Sequence, residues 1–516
     1  MIAKNPIIEG FYPDPSICVV GEDFYLVNST FAYFPGVPVF HSKNLRDWEQ
    51  IGNVLDRNTQ LPLGECGQYA GIYAPMIRWH KGIFYMVTTN ISGGGNFYVT
   101  ATDPKGPWSE PNYLGEEQAK GIDPTLFFDE DDRCYYIGSR GNDEGERYPG
   151  DGEIWIQELD LKEKRLIGES KVIYTGSQKH ALWPEGPHIY KKDGYYYVMI
   201  AEGGTEHRHS ITIARSKNLL GPYEDNPCNP ILTHRYFGMD YPVSYVGHGD
   251  LFEGPDKNWY MVMLASRPHK RHTMLGRETF LAKVIWEEGW PVVNPGIGHL
   301  EEKIELPFEE NLRFQRTDGK TWHFWDTALP LDALMLRNPK EGMYSLQDKE
   351  GCLRLYLQKE RLTEEKSPAY IGFRQKYVDY EVNTRFDFHS KKENEVAGVV
   401  CYQSDKAHIR FELSGAKTEK KLRVIKVEKG VESCVASTNI CMDHIELIIK
   451  SSHLMSDFYY KKDGVETALL QNFDTSFIST EKAGGFCGCT LGMYASSNGE
   501  ESMQYADFHW FSILKM

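Results

Sequence analysis

Five times between residues 13 and 265 the chain repeats one plan: a polar or small residue beside Pro or Gly, a short strand, a tight turn, then a strand rich in Tyr, Phe and Met. The copies begin at Pro13-Asp14-Pro15, Tyr73-Ala74-Pro75, Ile122-Asp123-Pro124, Pro184-Glu185-Gly186 and Gly247-His248-Gly249. Positions 14, 74, 123, 185 and 248 correspond, at intervals of 60, 49, 62 and 63 residues. Each unit is too small to bury its own faces, so neighbouring copies must pack on one another. Further short strands, for example at 95–101 and 210–215, fill each interval. Five copies of a four-stranded unit predict a five-bladed β-propeller. Helical periodicity is nearly absent, which excludes an α/β barrel. In the fourth copy, Lys191-Lys192-Asp193-Gly194 predicts a turn between strands at 188–190 and 195–200.

The repeat stops near residue 300, and 516 residues exceed one core. The expected plan is all-β: a propeller over 1–305, a charged, irregular linker over 306–320, and an antiparallel β-sandwich over 321–516. In the last part Val382/Thr384/Phe386/Phe388, Ile409/Phe411/Leu413 and Ile445/Leu447/Ile449 alternate with polar residues, and Lys462-Asp463-Gly464 reads as a turn. A net charge of −16 argues against nucleic acid as a partner. No apolar run is long enough to span a membrane. The start, MIAKNPIIEGFYPDP, has neither an apolar core nor a cleavage site, so a cytoplasmic location is expected. Ten cysteines without C-x-x-C spacing are expected to be reduced and structural. Formation of a homo-oligomer is left open.

Equivalent positions of a propeller surround one axis, so Asp14, Asp123 and Glu185 are expected to converge at one mouth of the channel. Asp-Pro and Pro-Glu-Gly-Pro pieces also make ordinary turns. A turn residue, however, would recur in all five copies, and the other two carry Ala74 and His248. Acids sharing a pocket push one pKa upward, which readies that group as a proton donor while another stays ionised. Glycoside hydrolysis needs such a pair.

The motifs NPIIEGFYPDPSIC, STFAYFPGVPVFHSKNLRDW, YAPMIRWHKGIFYM, GIDPTLFFDEDDRCYYI, WPEGPHIYKKDGYYYVMIAEGGT, GHGDLF and LGRET follow in this order over residues 5–279. With them the chain resembles glycoside hydrolase family 43, in its β-xylosidase and α-L-arabinofuranosidase members with a C-terminal β-sandwich. The resemblance implies an exo-acting, inverting hydrolase that releases terminal α-L-arabinofuranosyl or β-D-xylosyl units from xylan or arabinoxylan oligosaccharides. It makes Asp14 the general base, Glu185 the general acid and Asp123 the group that raises and orients that acid. It assigns Arg277, Phe31, Tyr73, His209 and Trp183 to substrate binding. No cofactor is required, although His248 would face a water or a structural calcium ion in the channel. The resemblance also implies a gap: where some xylosidases extend a Phe from the sandwich over the pocket, the matching position here is Thr490. That absence favours an arabinofuranosyl side chain over a strict xylobiose substrate. Two rivals stand beside this reading. One is a non-catalytic carbohydrate-binding propeller. The other is an invertase-like fructosidase, whose Arg-Asp-Pro and Glu-Cys motifs are replaced here by Ile122-Asp-Pro and Pro184-Glu-Gly.

Overall fold

The computed structural model describes residues 1–312, 314, 317–416, 420–462 and 464–516. The expected linker therefore includes positions 313, 315 and 316, and the expected turn at 462–464 includes Asp463, which lie outside the described residues.

Up to residue 293 the chain forms five four-stranded antiparallel sheets in series. Their first strands are Ser16–Val20, Ile72–His80, Ile122–Phe128, Glu185–Lys192 and Ser244–Glu253. Each first strand touches those of the sheets before and after it, and the fifth touches the first. The fourth hairpin is longer and tighter than the sequence predicts. Its strands run over Glu185–Lys192 and Tyr195–Glu202, and only Asp193 and Gly194 turn between them. Their φ values of 49° and 73° are those of a type I′ turn, whose twist matches the strands it joins.

One buried carboxylate ties the inner strands together. Asp250, on the fifth sheet, accepts bonds from Ser16 Oγ at 2.8 Å and Ile17 N at 3.1 Å. It also accepts from Arg78 Nη1 at 2.9 Å and Nη2 at 3.0 Å, and from Tyr190 OH at 2.8 Å. Arg78 Nη2 reaches His188 Nδ1 at 3.0 Å, and Thr125 Oγ1 lies 3.4 Å from the same nitrogen. Burial holds the His188 pKa down to about 3, so its Nδ1 accepts from Arg78. All five sheets contribute to this polar layer, which lies two residues along from the positions that carry Asp14, Asp123 and His248.

The C-terminal region packs a six-stranded sheet against an eight-stranded one. Val382, Phe386, Ile409, Phe411, Leu413, Leu447 and Ile449 are buried between them, as period-two alternation requires. The two regions share structure, since Tyr33–Phe34 pairs with Met335–Leu336; within the first, the strand Ile2–Lys4 pairs with Lys303–Glu305. The only described α-helix is the single turn Thr480–Ala483. No described helix is long and apolar enough to cross a membrane.

Candidate active site

Each first strand enters its sheet through a residue with positive φ. These are Asp14 (51°), Ala74 (25°), Asp123 (53°), Gly186 (58°) and His248 (48°). The structural equivalent of the fourth copy is therefore Gly186, not Glu185 as the repeat alignment had it. Glu185 occupies the preceding slot, in register with Tyr73 and Ile122: all three pair just ahead of the same irregularity in their hairpins. The reason is steric. A Cβ on Gly186 would lie 2.8 Å from the His248 ring, so no side chain fits there. The acid is consequently carried one residue earlier.

The three carboxyl groups still share one field, and their environments differ. Asp14 is buried, and its Oδ2 accepts from Ser29 Oγ at 2.6 Å while Oδ1 accepts from Arg277 Nη1 at 3.1 Å. Burial alone would raise its pKa. Arg277, then His248, the Ser29 bond and His209 outweigh burial and hold it below the usual value. Asp123 has one such bond, from Gly186 N–H to Oδ2 at 3.2 Å. Burial, with Asp14 adding to it against the pull of His248, pushes its pKa up to about 6. The Glu185 carboxyl accepts no hydrogen bond from the described residues. Burial first, then the charges of Asp123 and Asp14, push it well above the ordinary carboxylate range.

Arg277 ends just before the strand Glu278–Glu287 and is 7% exposed. Its Nη1 also donates to Thr205 Oγ1 at 2.8 Å, and its Nε has no partner among the described residues. The guanidinium faces two rings, with Cζ 5.7 Å from the Phe31 centroid and 5.3 Å from that of Phe486. Phe31, Tyr73 and Phe486 form an aromatic corner, with Phe486 5.1 Å from Phe31 and 5.9 Å from Tyr73. Tyr73 OH is anchored on Tyr69 O at 2.7 Å.

The expectation for the C-terminal region needs correction. Thr490 is fully buried, bonded to Tyr370 OH at 2.7 Å and Tyr33 OH at 3.2 Å, so it does not reach the pocket. Phe486, four residues earlier, does. Two contacts aim it there. A Cβ on Gly485 would fall 2.1 Å from the Tyr69 ring, and one on Gly488 would fall 2.4 Å from Leu275 O. Only glycines allow this segment to lie so closely on the propeller loops.

His209 is buried, with Nδ1 3.0 Å from Tyr245 O. Burial drives its pKa down to about 3, so the ring is neutral, Nδ1–H donates to that carbonyl, and Nε2 remains an acceptor. Trp183 is the outlier among the expected residues. It is 51% exposed, and its ring rests on Gly204, beside the Thr205 that holds Arg277. His248 lies 3.8 Å from Asp14 Oδ1, on a narrow cavity shared with Asp14, Asp123, Gly186 and His188. Calcium collects six to eight oxygens, waters included, so an ion facing His248 would keep most of its water shell. Asp14 is already engaged by Ser29 and Arg277, and Ala74, Met76 and prolines complete the wall. Among the described residues no group of three or more His, Cys, Asp or Glu could hold a metal ion.

Ser29, Thr205 and Phe486 escaped the sequence reading. The first two are small hydroxyl residues whose role is set by a distant partner; Ser29 opens the motif STFAYFPGVPVFHSKNLRDW and Thr205 closes AEGGT, but neither motif shows what the hydroxyl holds.

The family description Glycosyl hydrolases family 43 matches residues 3–291, and Beta xylosidase C-terminal Concanavalin A-like domain matches residues 321–514. The chain is 50% identical over 516 residues to a xylosidase/arabinosidase of Butyrivibrio fibrisolvens, covering 99% of each. It is 37% identical to a non-reducing end alpha-L-arabinofuranosidase of Bacteroides ovatus, covering 99% of this chain and 94% of that one. The solved xylan beta-1,4-xylosidase of Bacillus halodurans C-125 superposes with a TM-score of 0.92 at 32% identity, over 99% of this chain and 100% of the other.

Proposed function

The chain belongs to glycosyl hydrolases family 43 and is a glycoside hydrolase; we propose that it removes terminal α-L-arabinofuranosyl or β-D-xylosyl units from hemicellulose oligosaccharides, with inversion. The relatives named for both sugars support this substrate class. The closed cycle of inner strands supports reading the first region as a five-bladed propeller followed by a sandwich.

The observation that carries the mechanism is the opposed bias of two acids: Asp14 is held below its ordinary pKa and Glu185 is pushed above it. That bias leaves the first ionised as a base and favours the protonated form of the second as an acid. Asp14 takes a proton from a water whose oxygen bonds to the anomeric carbon. The glycosidic C–O bond breaks on the opposite face, and Glu185 gives its proton to the departing oxygen. Asp14 ends protonated and Glu185 ionised, and proton exchange with water restores both. An inverting site keeps about 6.5–9.5 Å between these groups to admit the water. Asp123 sustains the raised pKa of Glu185 by its charge and fixes the backbone beside it through Gly186. Arg277 holds Asp14 and presents its remaining donors to sugar hydroxyls, with the Phe31–Tyr73–Phe486 corner against the apolar face of the ring.

Aryl α-L-arabinofuranoside and aryl β-D-xyloside, assayed with the wild type, Asp14→Ala and Glu185→Ala, test the assignment. Proton NMR of the first sugar anomer released tests the stereochemistry. Loss of turnover in Asp14→Ala and an inverted first anomer are expected. Full activity in Asp14→Ala, or a retained anomer, overturns the reading.

A further inference from the structure

Outside the carboxylate site, a cavity of about 220 Å³ lies where the two regions meet. Tyr12, Phe40, Trp48 and Trp322 supply aromatic walls, and Arg374 and Lys376 supply charge. Arg374 is 4% exposed, yet its Nε and Nη2 bond to nothing among the described residues. Its Cζ sits 4.3 Å over the Tyr12 ring, which offers a π face but no anion. Lys376, two residues on, makes no hydrogen bond or ion pair among the described residues. The other charges on the wall have neighbours of their own. Asp332 is held by Lys320 Nζ at 3.1 Å and Trp322 Nε1 at 3.2 Å. Arg46 is paired with Glu310 at 2.7 Å. Glu9 lies in the field of Arg267.

Two cations thus face a cavity in which neither is hydrogen-bonded to an anion, although Asp332 adds its charge to the field at Lys376, in a chain whose net charge is −16. Unpaired buried charge is costly, and a fork of free guanidinium N–H groups fits the paired oxygens of a carboxylate or phosphate. The volume is below that of a drug-sized pocket and suits one small ring. We propose that this cavity is a second ligand site. It takes an anionic ligand of monosaccharide size, with its oxyanion against Arg374 and Lys376 and its ring against the aromatic walls.

The test is calorimetry and thermal shift on the full chain with three probes. Glucuronate carries both ring and oxyanion, glucose carries the ring alone, and inorganic phosphate carries the oxyanion alone. Saturable glucuronate binding is expected, with no heat from glucose. Lys376→Gln should weaken it by about tenfold or more, the value of one charge-assisted bond, while turnover of aryl arabinofuranoside is unchanged. Arg374→Met should weaken it further; if that variant does not fold, Lys376→Gln alone decides. Phosphate binding as tightly as glucuronate supports the site and assigns it to a bare oxyanion. No saturable response to either anion, or wild-type affinity in Lys376→Gln, overturns the proposal.

Discussion

Gly186 N–H donates to Asp123 Oδ2 at 3.2 Å, so the backbone next to the candidate acid is pinned by the carboxylate that tunes it. Gly186→Ala attacks this link. The position has φ 58°, and the new Cβ would lie 2.8 Å from the His248 ring. The strain costs about 1–2 kcal/mol before any clash relaxes, and a shift of Glu185 by about 1 Å can cost 10²-fold in rate. A lower Tm with a larger proportional loss of kcat is expected. An unchanged kcat would show that Glu185 needs no such fixing.

Arg277→Met removes the strongest of the influences that hold the Asp14 pKa down. Asp14 must be ionised to act as base, so its pKa sets the acid limb of the pH–rate profile. Without Arg277 that pKa rises, and the acid limb moves to higher pH. The lost donors to the sugar also cost roughly 10²-fold or more in kcat/KM. A kcat/KM profile against pH reads both effects.

Glu185→Ala should lose about 10²–10⁴-fold on poor leaving groups and far less on an activated aryl glycoside, whose departing oxygen needs no proton. Asp123→Asn is expected to do something different. Removing that charge lowers the Glu185 pKa, so the acid deprotonates earlier and the alkaline limb moves to lower pH. A leaving-group series at several pH values separates the two variants.

Phe486 and Thr490 are four residues apart but predict different phenotypes. Phe486→Ala opens the corner beside Arg277 and should lower kcat/KM on both aryl glycosides at nearly constant Tm. Thr490→Val removes a buried partner of Tyr370 and Tyr33 and should lower stability by about 1–3 kcal/mol, with specificity unchanged. The value of kcat/KM on each glycoside, measured beside Tm, distinguishes them.

The repeat and its acids were legible because strand alternation and the Pro-flanked entries are local signals. The offset at the fourth copy was legible too, in a feature given too little weight: Pro15, Pro75, Pro124 and Pro187 each follow the positive-φ residue. Aligning on those prolines rather than on acid type selects Gly186 directly. Phe486 was not legible. Its position depends on Gly485 and Gly488 meeting Tyr69 and Leu275, more than two hundred residues away in sequence, and linear spacing carries no trace of such contacts. The Asp250 layer was hidden for the same reason, since its members come from all five sheets and gain meaning only when the ring closes.

That layer yields the last prediction. Asp250 is fully buried, and its pKa lies at about 2: Arg78, His188 and the hydrogen bonds from Arg78 and Ile17 overcome the upward push of burial. Asp250→Asn keeps the shape but leaves the Arg78 charge buried without its counter-ion. Breaking such a pair from one side costs about 3–5 kcal/mol. A depressed carboxylate contributes stability that is present above its unfolded pKa of 3.8 and is lost as pH falls through its folded value near 2. The stability gap between wild type and Asp250→Asn should therefore be full at pH 5–7 and shrink between pH 4 and 2. Urea unfolding at a series of pH values measures it. A gap that stays constant down to pH 2 would mean that Asp250 holds the five strands by shape and neutral hydrogen bonds rather than by charge.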